Sequence, residues 1–241
     1  MAYDMIPFAV VLPRLSWARL FWVSLSWARN AWASLAGLRG HLDGKRLLDV
    51  TLVLLALPVW GPLLLALVGL LRLRQGPGVF FLHPRIGRGG REFRMIKLRT
   101  MVPDAPDRLA PLLADPQAKA HWARHAKLPE DPRRTPLGRW LRDTSLDELP
   151  QMINVLLGQM SLVGPRPVPQ SEFAAQYSGA SARAYLSLRP GVSGLWQVTA
   201  RGGTYDRRLA LDCYYADSRS LMLDLRILLR TFGAVWSGTG A

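Results

Sequence analysis

Residues 47–71 read LLDVTLVLLALPVWGPLLLALVGLL, and this stretch decides how the chain must fold. Asp49 is its only charged residue. As a straight helix it would be about 37 Å long, which is enough to cross a bilayer. The default interpretation is therefore a single transmembrane helix.

Two features of this stretch favour another path, in which the helix enters the membrane and returns to the same side. Pro58 lies near the middle, and proline bends a helix because it removes a backbone hydrogen bond and clashes with the preceding turn. Basic residues stand at both ends, as KR at 45–46 and RLR at 72–74, and positive charge marks the cytoplasmic side of a membrane segment. A helix broken near Pro58 accounts for both features, whereas a kinked spanning helix accounts for the proline alone. The residues leave both paths open.

The segment before this run is basic and rich in tryptophan. Residues 15–24, LSWARLFWVS, and 25–34, LSWARNAWAS, form a near-repeat, and no acidic residue occurs from Arg14 to Arg39. Helices that lie in the membrane interface have this composition, and the alternative is a helical hairpin packed on the domain. The charges run throughout, so the uninterrupted apolar core of a signal peptide is missing.

The composition of the whole chain agrees with a membrane location. Its 241 residues carry a formal net charge of +14, which favours an anionic partner such as nucleic acid, membrane lipid or a phosphorylated substrate. Nine tryptophans and a mean hydropathy of +0.08 favour the membrane over nucleic acid. Cys213 is the only cysteine, so no disulfide forms within the chain.

After the apolar run, residues 79–101 (VFFLHPRIGRGGREFRMIKLRTM) predict a β-hairpin with its turn at 87–90. Lys97 and Arg99 are two residues apart, so on a strand they point to one face and can hold phosphates together. The alternative is a solvated basic face near anionic lipid.

Two adjacent acids occur in TSLDELP (144–150). Ser145 and Glu148 have the spacing of a helix capping box, but a cap there puts Pro150 at the fifth helical position, where its missing N–H is needed. A helix that begins at or near Asp147 avoids this conflict. Asp147 then lies at a helix N-terminus, where phosphate binds; it can attack phosphorus, while Glu148 holds a divalent cation.

Downstream, GQMSLVGPRP (158–167) places Arg166 between two prolines, which fix the loop, and a guanidinium grips phosphate with two hydrogen bonds. A carboxylate dyad, a rigid arginine loop and an apolar segment together indicate phosphoryl chemistry at a bilayer surface. Composition and spacing do not identify a substrate.

Ordered motifs along the chain resemble one known family. DTSLDELPQMINVLLGQMSLVGPRP (143–167) is similar to the signature of the bacterial sugar transferases, which are monotopic phosphoglycosyl transferases. Other matching motifs follow in the family's order: KRLLDV (45–50), RIGRGGREF (85–93), KLRTM (97–101), RPGVSGLWQV (189–198) and LDLRILLRT (223–231). The resemblance covers roughly residues 45–241.

The resemblance implies a reaction and its residues. A UDP-sugar gives its sugar 1-phosphate to a polyprenol phosphate such as undecaprenyl phosphate, and UMP leaves; this is the first membrane step of exopolysaccharide, O-antigen or other glycan synthesis. The family dyad falls on Asp147, the nucleophile that forms a covalent aspartyl phosphosugar, and on Glu148. Both carboxylates are implied to hold Mg²⁺. The basic family positions implied to bind phosphate are Lys97, Arg99, Arg142 and Arg166.

The resemblance also implies the architecture. The expected fold is α+β, a mostly helical small catalytic domain with a β-hairpin, anchored by a re-entrant membrane helix and interfacial helices. Residues 1–44 are the interfacial segment, 45–74 the re-entrant helix broken near Pro58, and 75–241 the catalytic domain. That domain is expected on the cytoplasmic face of the bacterial inner membrane, with lipid as a partner, no nucleic acid, and a homodimer allowed. Many members have serine before the proline, where this chain has Leu57.

Three other functions compete with this hypothesis. A membrane scaffold that binds anionic lipid predicts that Asp147→Asn leaves function intact. A nucleic-acid binder is supported only by the high pI and must explain the 25-residue apolar run. An ordinary glycosyl transferase would release UDP rather than UMP.

Overall fold

The computed structural model of the protein describes residues 44–125, 128, 130–200 and 203–236, so the predicted interfacial segment 1–44 lies outside it except for Gly44. The described part is mostly helical with a small antiparallel hairpin, as predicted. In chain order the elements are α1 (Gly44–Gln75), β1 (Phe80–Ile86), β2 (Glu92–Leu98), α2 (Leu109–Leu112), α3 (Pro116–His125), α4 (Pro136–Asp143), α5 (Gln151–Leu156), β3 (Ser161–Val163), α6 (Gln170–Gln176), α7 (Gly179–Ser187), β4 (Gly191–Ser193), α8 (Leu195–Thr199), α9 (Tyr205–Ser218) and α10 (Leu221–Trp236), with 3₁₀ turns at Arg88–Gly90 and Leu146–Glu148.

Helix α1 is 32 residues long and is, by length and composition, able to cross a membrane. It continues through Pro58 and Pro62, so the predicted break near Pro58 does not end the helix. Pro58 has no N–H to donate within the helix, and beside it the Trp60 indole donates to the carbonyl of Val53 at 3.0 Å. The re-entrant path itself stays a prediction.

The two halves of α1 pack on different parts of the domain, and Trp60 at its midpoint packs against both clusters. In the first half Val53 joins a cluster with Phe93, Val155 and Met160. The second half buries Leu64, Leu67 and Leu71 against Leu98 and Leu141.

Between these contacts, residues 54–59 are exposed without exception. Six consecutive residues exceed one helical turn, so every side of α1 is exposed there. Leu55 is 72% exposed and Val59 73% exposed. An apolar helix segment that is exposed on every side indicates membrane association, because lipid covers apolar surface that is costly to leave in water.

The register of the hairpin β1–β2 determines which side chains share a face at the site described below. Arg85 lies opposite Phe93, and Phe81 lies opposite Lys97. Directly opposed residues point to the same side of an antiparallel pair, and so do residues two apart on one strand. Arg85 and Lys97 therefore share one face of the hairpin.

The parallel pair β3–β4 was not expected from the sequence. Ser161 lies opposite Gly191, and Val163 lies opposite Ser193. Gly164 follows β3 and runs so close to the backbone of 189–191 that a side chain would clash there. This close approach fixes the start of the loop that carries Arg166.

A cluster of buried polar groups joins the beginning of α1 to the domain. Lys45 Nζ lies 2.6 Å from Asp224 Oδ2, and the Tyr215 hydroxyl donates to Asp224 Oδ1 at 2.6 Å. Asp49 accepts from the Ser161 hydroxyl at 2.7 Å and also from the Leu162 amide at 3.1 Å. We call Lys45, Asp49, Tyr215 and Asp224 the root cluster.

Candidate active site

The two adjacent acids lie in the 3₁₀ turn between α4 and α5. Helix α4 begins at Pro136 with Thr135 as its cap, whose hydroxyl accepts from the Gly138 amide at 2.9 Å. It ends before Ser145, which has a left-handed backbone with φ of 57°. A non-glycine residue in this conformation is strained, so the chain turns sharply just before Asp147.

The predicted helix start at or near Asp147 is found only as the 3₁₀ turn Leu146–Glu148. Helix α5 begins at Gln151, with Pro150 at the cap position, where its missing N–H costs nothing. The alternative capping box is absent as well, because the Ser145 side chain makes no capping hydrogen bond. Asp147 therefore occupies the 3₁₀ turn rather than a helix N-terminus.

Lys97 connects the two acids. Its Nζ lies 2.6 Å from Glu148 Oε1 and 3.7 Å from Asp147 Oδ2. The Asp147 side chain is 9% exposed and that of Glu148 is 31% exposed. The hairpin thus brings a cation to a buried carboxylate and its more open neighbour.

The environment of Asp147 opposes its ionisation. Burial raises the pKa of the Asp147 carboxyl; Lys97 and Arg142 act in the opposite direction, while the charge of Glu148 adds to the rise. The net pKa lies above the ordinary value for aspartate. The ionised fraction of Asp147 therefore depends on the nearby cations.

Arg166 reaches the same region from the other side. It is exposed and lines a small open cleft together with Lys97, Glu148 and Gln151. Its loop is held by backbone contacts, in which the Gly191 amide donates to the Pro165 carbonyl at 2.8 Å. The structure thus brings Arg166, Lys97 and Glu148 to one cleft, although they are far apart in sequence, and Asp147 lies beside it next to Glu148.

Arg99 and Arg142 do not line the cleft. Arg99 follows the end of β2, so it does not alternate with Lys97 on the strand as expected, and its guanidinium donates to the carbonyls of Gln75 and Pro77 at 2.6 Å each. These contacts tie the end of α1 to the hairpin and favour a structural role for Arg99. Arg142 donates to the Thr100 hydroxyl at 2.9 Å and lies close enough to Asp147 to influence its charge.

Three polar side chains of the cleft were not singled out from the sequence. Arg85, Gln151 and Gln197 line the cleft beside Lys97 and Glu148. The hairpin pattern could have indicated Arg85, which shares a strand face with Lys97. Gln197 comes from α8, far along the chain, and no local pattern places it there.

The carboxylates present suit one kind of metal site. Within the described residues no three His, Cys, Asp or Glu side chains come together as a metal site. Asp147 and Glu148 are two, and Mg²⁺ is usually bound by one or two carboxylates together with substrate phosphates. The donor set therefore fits a magnesium ion that binds together with a phosphorylated substrate.

Comparison with known proteins gives a consistent result. The sequence model of the family described as bacterial sugar transferase matches residues 41–238. Over 199 residues the chain is 41% identical to the exopolysaccharide production protein ExoY of Sinorhizobium fredii, and these residues cover 82% of the chain and 87% of that relative.

Two further relatives are longer. The chain is 41% identical over 199 residues to the UDP-galactose-lipid carrier transferase of Erwinia amylovora and to the undecaprenyl-phosphate galactose phosphotransferase of Salmonella typhimurium. The matched residues cover 82% of the chain but only 41% of each of these two relatives. The chain thus spans most of the length of ExoY and about two fifths of the other two.

Proposed function

The chain belongs to the bacterial sugar transferase family, and from this premise we propose that it transfers a sugar 1-phosphate from a UDP-sugar to a polyprenol phosphate in the membrane. The observation that carries the proposal is Lys97, which contacts both Asp147 and Glu148 beside the cleft that Arg166 lines. The names of two relatives, which refer to UDP-galactose, a lipid carrier and undecaprenyl phosphate, support the substrate classes.

Asp147 is the proposed nucleophile. Its carboxylate oxygen attacks the phosphorus that carries the sugar, the bond from that phosphorus to the bridging oxygen breaks, and UMP leaves. An oxygen of the polyprenol phosphate then attacks the same phosphorus of the aspartyl phosphosugar and releases Asp147. Burial beside a cleft supports this role, because a nucleophile shielded from water reacts with the bound substrate rather than being solvated.

The cations offset the charge that the reacting phosphates bring together. Lys97 and Arg166 line the cleft. Arg142, which donates to the Thr100 hydroxyl, lowers the pKa of Asp147. Mg²⁺ would be held by Glu148 and Asp147 together with the substrate, and it would supply further positive charge at the phosphate oxygens. Lys97 keeps the Glu148 carboxylate oriented before the substrate arrives.

We place the reaction at the cytoplasmic face of the inner membrane. Both halves of α1 pack on the domain while residues 54–59 between them are exposed on every side, which supports a helix that dips into one leaflet and returns. A polyprenol phosphate keeps its tail in the bilayer, so its head group reaches a cleft held at the surface.

Site-directed labelling tests this path. Single cysteines at positions 43 and 74, in a chain with Cys213→Ser, are labelled from each side of the membrane. Reaction of both from the same side is expected for a re-entrant helix. Reaction from opposite sides would show a spanning helix and contradict the proposed topology.

Nucleotide release tests the chemistry. Purified protein is incubated with Mg²⁺ and a panel of UDP-sugars, with and without polyprenol phosphate, beside Asp147→Asn and the control Asp143→Asn, which changes an exposed carboxylate at the end of α4. Release of UMP from some sugars, with a stoichiometric burst when the acceptor is absent, is expected for the covalent route.

Other outcomes discriminate between mechanisms. Steady UMP release only with both substrates would support direct transfer without a covalent step. UDP as the product would indicate an ordinary glycosyl transferase. No release from any sugar would contradict the proposed reaction.

A further inference from the structure

A second cation on the hairpin reaches the cleft at a distance from the proposed nucleophile. Arg85 and Lys97 share one face of the hairpin near its opposite ends, because Arg85 pairs with Phe93 and Lys97 with Phe81. Met95 lies between them on that face, and all three line the cleft. Lys97 forms an ion pair with Glu148, whereas Arg85 lies nearer the turn of the hairpin.

The charges around Arg85 are unbalanced. Arg85, Lys97 and Arg166 line the cleft with one carboxylate, Glu148, which already contacts Lys97. The positive charge of Arg166 lies close enough to Arg85 to lower its pKa further, after burial, to about 10. Guanidinium groups held together in this way favour an anion between them.

The charge of a second acid, Glu172, raises the pKa of Arg85, but by less than burial and Arg166 lower it. The Glu172 carboxylate accepts from the Tyr205 hydroxyl at 2.8 Å and from Arg208 at 3.0 Å. The Arg85 Nε is buried and, among the residues that the structure describes, has no hydrogen-bond partner. A buried donor without a partner costs free energy that a bound anion recovers.

His83 orients the other end of the guanidinium. Its Nδ1 lies 3.1 Å from Arg85 Nη2. Burial, together with the charges of Arg85 and Lys97, lowers the pKa of His83 to about 4, so its imidazole is neutral at pH 7 and can accept from Arg85. This contact fixes Arg85 without neutralising its charge.

We propose that Arg85, together with Arg166, binds the phosphate that leaves with the nucleoside, while Lys97 and Glu148 lie at the phosphate that Asp147 attacks. The inference rests on the proposed function, because that reaction involves two phosphates. As the bond between phosphorus and bridging oxygen breaks, its electron pair stays on that oxygen and UMP gains negative charge. Arg85 offsets this charge, so it is a substrate-binding residue for the leaving group.

Direct binding of UMP and of uridine tests the assignment without requiring turnover. The proteins are the full-length wild type, Arg85→Gln and the control Arg94→Gln, which changes an exposed arginine of the same hairpin outside the cleft. Arg85→Gln is expected to weaken UMP binding by about tenfold or more and to leave uridine binding nearly unchanged, because only UMP carries the phosphate. Arg94→Gln is expected to match the wild type, and Arg85→Lys to keep part of the preference for UMP.

The ratio of UMP to uridine affinity separates binding from folding, since a misfolded variant loses both ligands together. An unchanged ratio in Arg85→Gln overturns the assignment, and so does a wild type that binds no UMP. The nucleotide-release assay tests the proposed function separately. If the wild type releases UMP but Arg85→Gln has an unchanged ratio of UMP to uridine affinity, the proposed reaction stands and the role of Arg85 is rejected.

Discussion

The root cluster and the cleft place a lysine against an acid in the same way, yet the two regions differ in how their buried aspartates are satisfied. Lys45 lies 2.6 Å from Asp224, and Lys97 lies 2.6 Å from Glu148. Asp224 also accepts from Tyr215 at 2.6 Å. In the cleft, the buried Asp147 has Lys97 only at 3.7 Å.

The difference separates an aspartate that holds the structure together from one that is suited to react. Asp224 has a close partner at each of its two oxygens, so its burial is compensated and the start of α1 is fixed to α10. Asp147 is buried with its pKa raised, which costs stability. A buried carboxyl beside a cleft, with its pKa raised and cations nearby, is typical of a functional site.

The largest expected effect is on catalysis. Asp147→Asn removes the nucleophile and should lower UMP release by about a thousandfold or more while the protein still folds. Asp224→Asn should instead keep the turnover of each folded molecule within about a few-fold of wild type, because Asp224 does not contact the reacting groups. Turnover normalised to folded protein measures both. Similar losses in the two variants would remove the distinction between the regions.

Protein stability should depend more on the root cluster than on the cleft. Lys45→Met leaves Asp224 buried with one fewer partner and should cost about 2–3 kcal/mol of unfolding free energy. The melting temperature measured in detergent should fall by roughly 4–10 °C for a chain of this size. Lys119→Met, at an exposed position on α3, is the matched control and should melt like the wild type. A Lys45→Met protein as stable as this control would show that the root cluster does not secure α1.

The pH profile tests the role of Lys97. Asp147 must be ionised to attack, so turnover falls as the pH drops through its raised pKa. Lys97 lowers that pKa, and Lys97→Met should therefore move the acid limb of the profile to higher pH, whatever happens to the maximal rate. The Lys45→Met profile should keep the wild-type midpoint. An unshifted or downward-shifted limb in Lys97→Met would contradict the electrostatic coupling of Lys97 to Asp147.

The smallest expected effect concerns the backbone at Ser145. Ser145→Gly and Ser145→Ala both lose the hydroxyl, but only glycine adopts a φ of 57° without strain. The glycine variant should be more stable than the alanine variant by about 1 kcal/mol. Chemical denaturation of the two proteins in one detergent measures the difference. Equal stabilities would mean that the turn before Asp147 relaxes at no cost.

Local patterns predicted much of the fold. The glycines of 87–90 predicted the hairpin turn, and the observed strands end at Ile86 and resume at Glu92. The apolar run predicted a helix over 45–74, and Gly44–Gln75 is helical, although the predicted break near Pro58 does not interrupt it. These features depend on neighbours in the chain, so sequence periodicity and turn chemistry are sufficient to find them.

The predictions failed where distant contacts decide the outcome. The β3–β4 pair has only three residues in each strand and joins segments about thirty residues apart, so no periodicity indicates it. Helix α5 begins only at Gln151, because the chain first forms the 3₁₀ turn Leu146–Glu148 after the left-handed Ser145. Arg99 was expected to bind phosphate, yet its contacts are with the carbonyls at the end of α1.

The sequence by itself determined the apolar helix, the hairpin, the adjacent acids and the rigid loop of Arg166, since each is written in a short stretch of residues. Only the tertiary structure decided which charged groups satisfy one another and which face the cleft. Lys45 and Lys97 are both basic residues near apolar segments, and nothing local distinguishes them. Their roles differ because folding surrounds Asp224 with partners and leaves Asp147 buried beside an opening.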